Sequence, residues 1–186
     1  MRPSVWWVGG IALAAIAFTP ASPATQADRL VVLVRHAEKA VEPSDDPPLT
    51  EAGRARAAAL AAALDGAGIG AVIVTPFRRT RETAQPLAAA LGIAPTAVDV
   101  KGGMAEHLEA VIRAVRSRPP GEAVLVVGHS NTIPAIVGAL GGPRLPDLCD
   151  SEYANLFVMI LPERGTPRLI EASYGAPDAA GADACR

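Results

Sequence analysis

Aromatic residues make up only 4% of this 186-residue chain. A core built from it is therefore aliphatic, carried by Val, Leu, Ile and Ala. Neither sign of charge dominates. Seventeen Lys and Arg stand against nineteen Asp and Glu, for a formal net charge of -2, which excludes the basic footprint of a nucleic-acid-binding domain. Histidine is scarce, with three residues, and no two Cys or His lie close enough in sequence to form a zinc-binding pair. No metal and no cofactor is expected. Cysteine is limited to Cys149 and Cys185. Two alternatives stand for them: a disulfide stapling the tail to the region before Tyr153, and two unpaired thiols.

Long apolar runs are also few, and the longest lies at the amino terminus. Val5 to Phe18 is continuous except for glycines and follows the positive start Met1-Arg2. Pro20, Ser22, Pro23 and the small residues up to Ala27 follow. This pattern predicts a secretory signal peptide over residues 1–27, with an apolar centre too short to favour a spanning helix. An uncleaved anchor is the alternative. The mature protein is expected to be exported, periplasmic or secreted, with no stable membrane anchor after cleavage. Residues 28–175 then form one domain, large enough for a sizeable core. Residues 176–186, rich in Ala, Gly and Asp, are expected to be a flexible tail.

Strand-like and helical stretches alternate along the domain. Leu30–Val34, Ala71–Thr75 and Ala123–Val127 read as buried strands, with Thr96–Val100 as a weaker one. Helices are predicted over Glu51–Leu64, with Thr50 as N-cap, over Arg79–Leu91 and over Met104–Ser117, with another after Asn131. Pro86 inside the second span predicts a kink or two shorter helices. Tyr153–Leu161 and Arg168–Ala172 read as late strands, paired as a hairpin around Pro162–Gly165. The alternation predicts an α/β three-layer sandwich with a mainly parallel central sheet.

Three buried strands end in polar residues: Arg35-His36, Thr75 to Arg79, and Gly128-His129-Ser130-Asn131. Ligands bind at the carboxyl ends of strands in open α/β sheets. Two imidazoles, two or more guanidiniums and a helix amino terminus gathered there suit a tetrahedral dianion. Ser130 and Asn131 either cap the last helix or, for Asn131, contact substrate. His107 reads as an exposed helix residue. The acidic loop Ser44-Asp45-Asp46 reads either as a solvated linker or as an overhang that disfavours highly anionic substrates.

Four segments in order resemble the histidine phosphatase superfamily, the phosphoglycerate-mutase-like branch 1: Arg35-His36-Ala37-Glu38, Leu49-Thr50-Glu51-Ala52-Gly53, Thr75 to Ala84, and Val127 to Asn131. The resemblance covers about Leu30 to Gly142 and implies a phosphoglycerate-mutase-like fold. It implies that His36 attacks phosphorus and becomes phosphohistidine. Arg35 and Arg79 would bind the phosphoryl oxygens, and His129 would hydrogen-bond them, with Asn131 as a further phosphate contact. Arg79 is chosen over Arg78 and Arg81 because it stands four before Thr83, as the family block requires.

No proton donor is assigned. Glu38, Asp99 and Glu106 are candidates, with Glu82 and Glu109 also available, and none has a convincing motif around it. The implied activity is hydrolysis of a phosphomonoester, on a phosphorylated small molecule or a phosphoprotein. The alternatives are a protein phosphohistidine phosphatase, which needs no such acid, and a non-catalytic exported phosphate-binding module.

Overall fold

The structure, a computed structural model, describes residues 28–178. The proposed leader therefore lies outside the described residues, as does Cys185 and with it the question of its pairing with Cys149. Six strands and four helices follow in the order β1 (Arg29–Arg35), α1 (Glu51–Ala63), β2 (Ile69–Val74), α2 (Arg78–Leu91), β3 (Thr96–Ala97), α3 (Met104–Arg116), β4 (Ala123–Gly128), α4 (Thr132–Ala139), β5 (Asn155–Leu161) and β6 (Arg168–Ser173). Among the described residues no helix is long and apolar enough to cross a membrane.

One sheet holds all six strands in the order β3-β2-β4-β1-β5-β6. Its central strands bury side chains on both faces, with the period of two that a strand imposes. Val31 and Leu33 of β1 and Val124 and Val126 of β4 pack with Val111, Val115, Ile133 and Ile136 from α3 and α4. Val32, Val34, Leu125 and Val127 face the other way, onto Leu60, Ala84 and Leu87 from α1 and α2. The result is the expected three-layer α/β sandwich with an aliphatic core.

Four features depart from expectation. The sheet is mixed rather than mainly parallel: β1–β4, β2–β4 and β2–β3 pair parallel, while β1–β5 and β5–β6 pair antiparallel. The β5–β6 connection is short and carries no crossover helix, so only an antiparallel hairpin is open to it. α2 is one continuous helix with Pro86 inside it. The lost hydrogen bond is offset by burial of Thr83, Ala84, Leu87 and Ala88 around the proline. β3 is shorter than Thr96–Val100 because the chain turns at Asp99, whose Oδ1 accepts from the backbone N–H groups of Val100 (2.7 Å) and Lys101 (3.0 Å). Finally, the segment at 176–178 is tied down. Arg56 donates to the carbonyl of Ala176 (2.8 Å), and Asp178 Oδ1 accepts from the N–H groups of Tyr153 and Ala154 (2.8 and 3.0 Å).

The loop between β1 and α1 is fastened where it leaves the sheet. The Thr50 hydroxyl accepts from Gly53 N (3.1 Å) and donates to the Glu38 carbonyl (3.2 Å), which also accepts from Thr50 N (2.9 Å). Gly53 lies directly against that carbonyl. A β-carbon at this position would overlap backbone, which cannot give way as a flexible side chain can. This is the physical reason for glycine in the Leu-Thr-x-x-Gly pattern. Gly53→Ala is expected to destabilise the protein by about 1–3 kcal/mol in urea denaturation. An unchanged midpoint would show that the loop shifts freely.

Candidate active site

Arg35 and His36 leave β1 at its carboxyl end beside β4, and His36 N donates to Gly128 O (2.9 Å). Both side chains are buried. Thr83 of α2 accepts from Ala37 N (2.9 Å) and donates to the Arg79 carbonyl (2.7 Å). One hydroxyl thus joins the Arg-His segment to the turn that presents Arg79. The four-residue spacing from Arg79 to Thr83 is a helical back-bond.

His36 Nδ1 lies 2.8 Å from the carbonyl of Ala37. A carbonyl only accepts, so Nδ1 carries the proton and the lone pair of a neutral ring resides on Nε2. The His129 ring stands edge-on to His36 at 5.5 Å between centroids. Thr75 Oγ1 is 3.1 Å from His129 Nε2 and is itself bonded to Thr80 Oγ1 (2.9 Å), which fixes the second imidazole from β2. Phe77 packs edge-on against His129 at 5.5 Å, and the Arg79 guanidinium stacks over Phe77 at 4.1 Å. The structure therefore brings Arg35, His36, Arg79 and His129 to one end of the sheet.

Arg35 is held by the loop before β5. Its Nη1 donates to the carbonyls of Cys149 (2.6 Å), Glu152 (3.1 Å) and Asp150 (3.2 Å), and its Nη2 reaches Asp150 Oδ1 at 3.5 Å. The Tyr153 ring lies under the guanidinium at 4.3 Å and 6.3 Å from His36. The Nε atoms of Arg35 and Arg79 are both buried without a hydrogen-bond partner. Asn131 is exposed on the rim of a cavity of about 260 Å³ that Arg79 and His129 also line.

The candidate proton donors are placed elsewhere. Glu38 is bound by Arg56, with Nε at 2.9 and 3.1 Å and Nη2 at 2.8 Å. Glu82 accepts from Leu49 N (2.7 Å) and pairs with Arg78 (3.1 Å). The Asp99 carboxylate caps its own turn, and Glu106 and Glu109 are exposed. Asp46 accepts from Arg78 N (2.8 Å) at the start of α2, so this end of the acidic loop is fastened beside Arg79 rather than being a solvated linker.

His107 is a correction. It is 3% exposed, not on the surface, and lines the same cavity as Arg79 and His129. The signal was present in the sequence: His107, Val111 and Val115 stand four apart and share one helix face. Tyr153 had no comparable signal, because the loop that places it beside His36 is irregular. Among the described residues no group of three or more His, Cys, Asp and Glu could hold a metal ion.

Burial lowers the pKa of His36 from 6.5 to about 3. The Ala37 bond opposes this, while the charges of Arg35, His129 and Arg79 reinforce it. His129 falls to about 4, through burial and then Arg79, His107 and Arg35. Both folded-state values lie below the unfolded ones. Their contribution to stability is therefore full above about pH 6.5 and is lost as pH falls toward the folded values. Within its window each ring adds a slope of about 1.4 kcal/mol per pH unit. His36→Asn is expected to remove one such slope between about pH 6 and pH 4 in urea denaturation. Equal slopes in variant and wild type would overturn the neutral state of His36.

Residues 31–107 match the family model of the histidine phosphatase superfamily (branch 1). No curated protein sequence matches the chain. Solved structures do. The protein histidine phosphatase SixA, complexed with tungstate, is 20% identical with a TM-score of 0.61, over 77% of this chain and 96% of that one. A structure from Nakamurella multipartitia, titled a putative phosphohistidine phosphatase SixA, is 26% identical with a TM-score of 0.56, over 83% and 100%. A mycobacterial glucosyl-3-phosphoglycerate phosphatase bound to inorganic phosphate is 20% identical with a TM-score of 0.58, over 80% and 97%. The matched segment contains Arg35, His36 and Arg79, and over it the chain is similar to the histidine phosphatase superfamily, branch 1.

Proposed function

We propose that this chain hydrolyses phosphomonoesters through a covalent phosphohistidine on His36. The observation that carries this reading is the His36–Ala37 hydrogen bond at 2.8 Å. It commits Nδ1 as donor and leaves Nε2 with the lone pair, while burial and neighbouring cations keep the ring neutral. In this reading Arg79 and Arg35 bind the phosphoryl oxygens, and His129, oriented by Thr75, donates to them as charge grows. Asn131 is a further contact from the rim. The amino-terminal apolar run supports export as part of the same proposal, with the enzyme periplasmic or secreted.

A second reading, a phosphohistidine phosphatase acting on protein, draws on the likeness to proteins of that name. Export counts against it, because phosphorelay partners are usually cytoplasmic. A binding module without turnover is a weaker reading, since a complete and neutral nucleophile has no use in it.

His36→Ala is expected to lower phosphate release from an aryl phosphate by about 10³-fold or more. Labelling the wild type with ³²P-phosphorylated substrate and quenching in alkali should trap an acid-labile phosphoenzyme that the variant lacks. Full activity in His36→Ala would sink the nucleophile assignment. Labelled phosphate that binds reversibly without turnover would favour the module. Faster release from a phosphohistidine peptide than from any alkyl phosphate would favour the second reading.

A further inference from the structure

His107 is the third histidine of the chain and has no part in the phosphoryl transfer described above. Its backbone N donates to Gly103 O (3.1 Å), and its Nδ1 lies 2.9 Å from the carbonyl of Asp99. A carbonyl fixes the proton on Nδ1, as it does for His36, so Nε2 is the ring atom left for chemistry. Nε2 makes no hydrogen bond among the described residues. The ring lines the cavity of about 260 Å³ together with Arg79, His129 and Asn131, and apolar walls come from Phe77 and Met104. No carboxylate lines this cavity, and those nearest in sequence are engaged or exposed as described. The bond to Asp99 and the place on the cavity wall set His107 between Arg79 and His129 on one side and the Asp99 turn on the other.

We propose that His107 is the general acid–base of the reaction, and that this cavity receives the alcohol part of a phosphomonoester. The inference rests on the phosphohistidine reading of His36. In the first step the His36 Nε2 lone pair forms the N–P bond. The P–O bond to the alcohol breaks, and its electron pair stays on the leaving oxygen. That oxygen takes the proton from Nε2 of the His107 imidazolium. His107 is then neutral, with a lone pair on Nε2. In the second step a water oxygen bonds to phosphorus as the N–P bond breaks and its electrons return to His36. The proton lost by the water goes to His107, which restores the imidazolium. The Nδ1–H bond to Asp99 persists throughout and holds the ring in place. A proton donor is most useful for an alkoxide, the poorest leaving group, and least useful for an imidazole. The substrate class is accordingly a phosphate ester of an alcohol small enough for the cavity, with an apolar part to meet Phe77 and Met104.

The test is leaving-group dependence. Wild type and His107→Gln are assayed on propyl phosphate, phenyl phosphate and 4-nitrophenyl phosphate. The variant is expected to lose about 10²- to 10³-fold in kcat/KM on propyl phosphate and less than about fivefold on 4-nitrophenyl phosphate, whose leaving group needs little protonation. An equal loss on both esters overturns the assignment and leaves His107 with a structural role. The wild type alone provides a second measurement should the variant misfold: kcat/KM should fall only weakly as leaving-group pKa rises, and a steep fall overturns the proposal. Failure of the parent reading looks different. A wild type that forms no phosphoenzyme and releases phosphate from none of the three esters removes both.

Discussion

Burying the Arg35 guanidinium is the constraint on which the rest of the site depends. A fully buried cation is costly unless its donors are satisfied. Arg35 is 3% exposed and stands on the strand that pairs with both β4 and β5. Its compensation comes from backbone: three carbonyls between Cys149 and Glu152, with the Tyr153 ring beneath. The irregular loop before β5 supplies these carbonyls. The compensation is partial. Asp150, the carboxylate that reaches Arg35, is exposed and 3.5 Å away, and Nε has no partner. Arg79 repeats the pattern, with a buried Nε unpartnered. Two guanidiniums, each with a buried Nε unpartnered, thus stand beside two imidazoles held neutral, and the field at this end of the sheet favours an anion.

Much of this was legible in the sequence because the informative residues are local. The run Leu30 to Val34 identifies a strand buried on both faces without reference to any other segment. Thr50 is read as an N-cap, and the hydrogen bond to Gly53 N agrees. Helices α1 and α3 follow from spacing and punctuation, with ends within a residue or two of those expected, and α4 starts directly after Asn131. Most of the misreadings share a physical cause. Pro86 is permitted in α2 by tertiary packing, which outweighs the local rule. β3 is cut short by an aspartate that prefers its own backbone to the sheet ladder. The tail up to Asp178 is ordered by Arg56, more than a hundred residues earlier. Tyr153 is brought to the site by a loop whose shape depends on Arg35. The β3 ending is decided locally, within two residues of Asp99; the others are decided by a partner far away in sequence.

His107 differs from those cases. Its burial could have been read from the helix face it shares with Val111 and Val115. What the sequence could not give was its neighbour, because β3, α2 and β4 all have to be placed before the start of α3 meets Arg79 and His129. Periodicity shows which side of a helix is inward; it does not show whether the inward end meets core or cavity.

The same geometry settles how Glu38 can follow the Arg-His pair so closely without spoiling the site. A carboxylate facing His36 would favour the charged ring and repel a phosphate dianion. Arg56, buried in α1, draws it away with a bidentate contact and also holds the carbonyls of Tyr174 and Ala176. Asp178, 4.0 Å from the same guanidinium, accepts from Tyr153 N. One arginine outside the cavity therefore removes a negative charge from the surroundings of His36 and steadies the backbone of the aromatic residue beside it. The two ionic systems are complementary. The inner one keeps its cations short of anions, and the outer one gathers carboxylates around a single cation. Separated by the width of the Arg35–Glu38 segment, they let four consecutive residues present positive charge on one side and satisfied negative charge on the other.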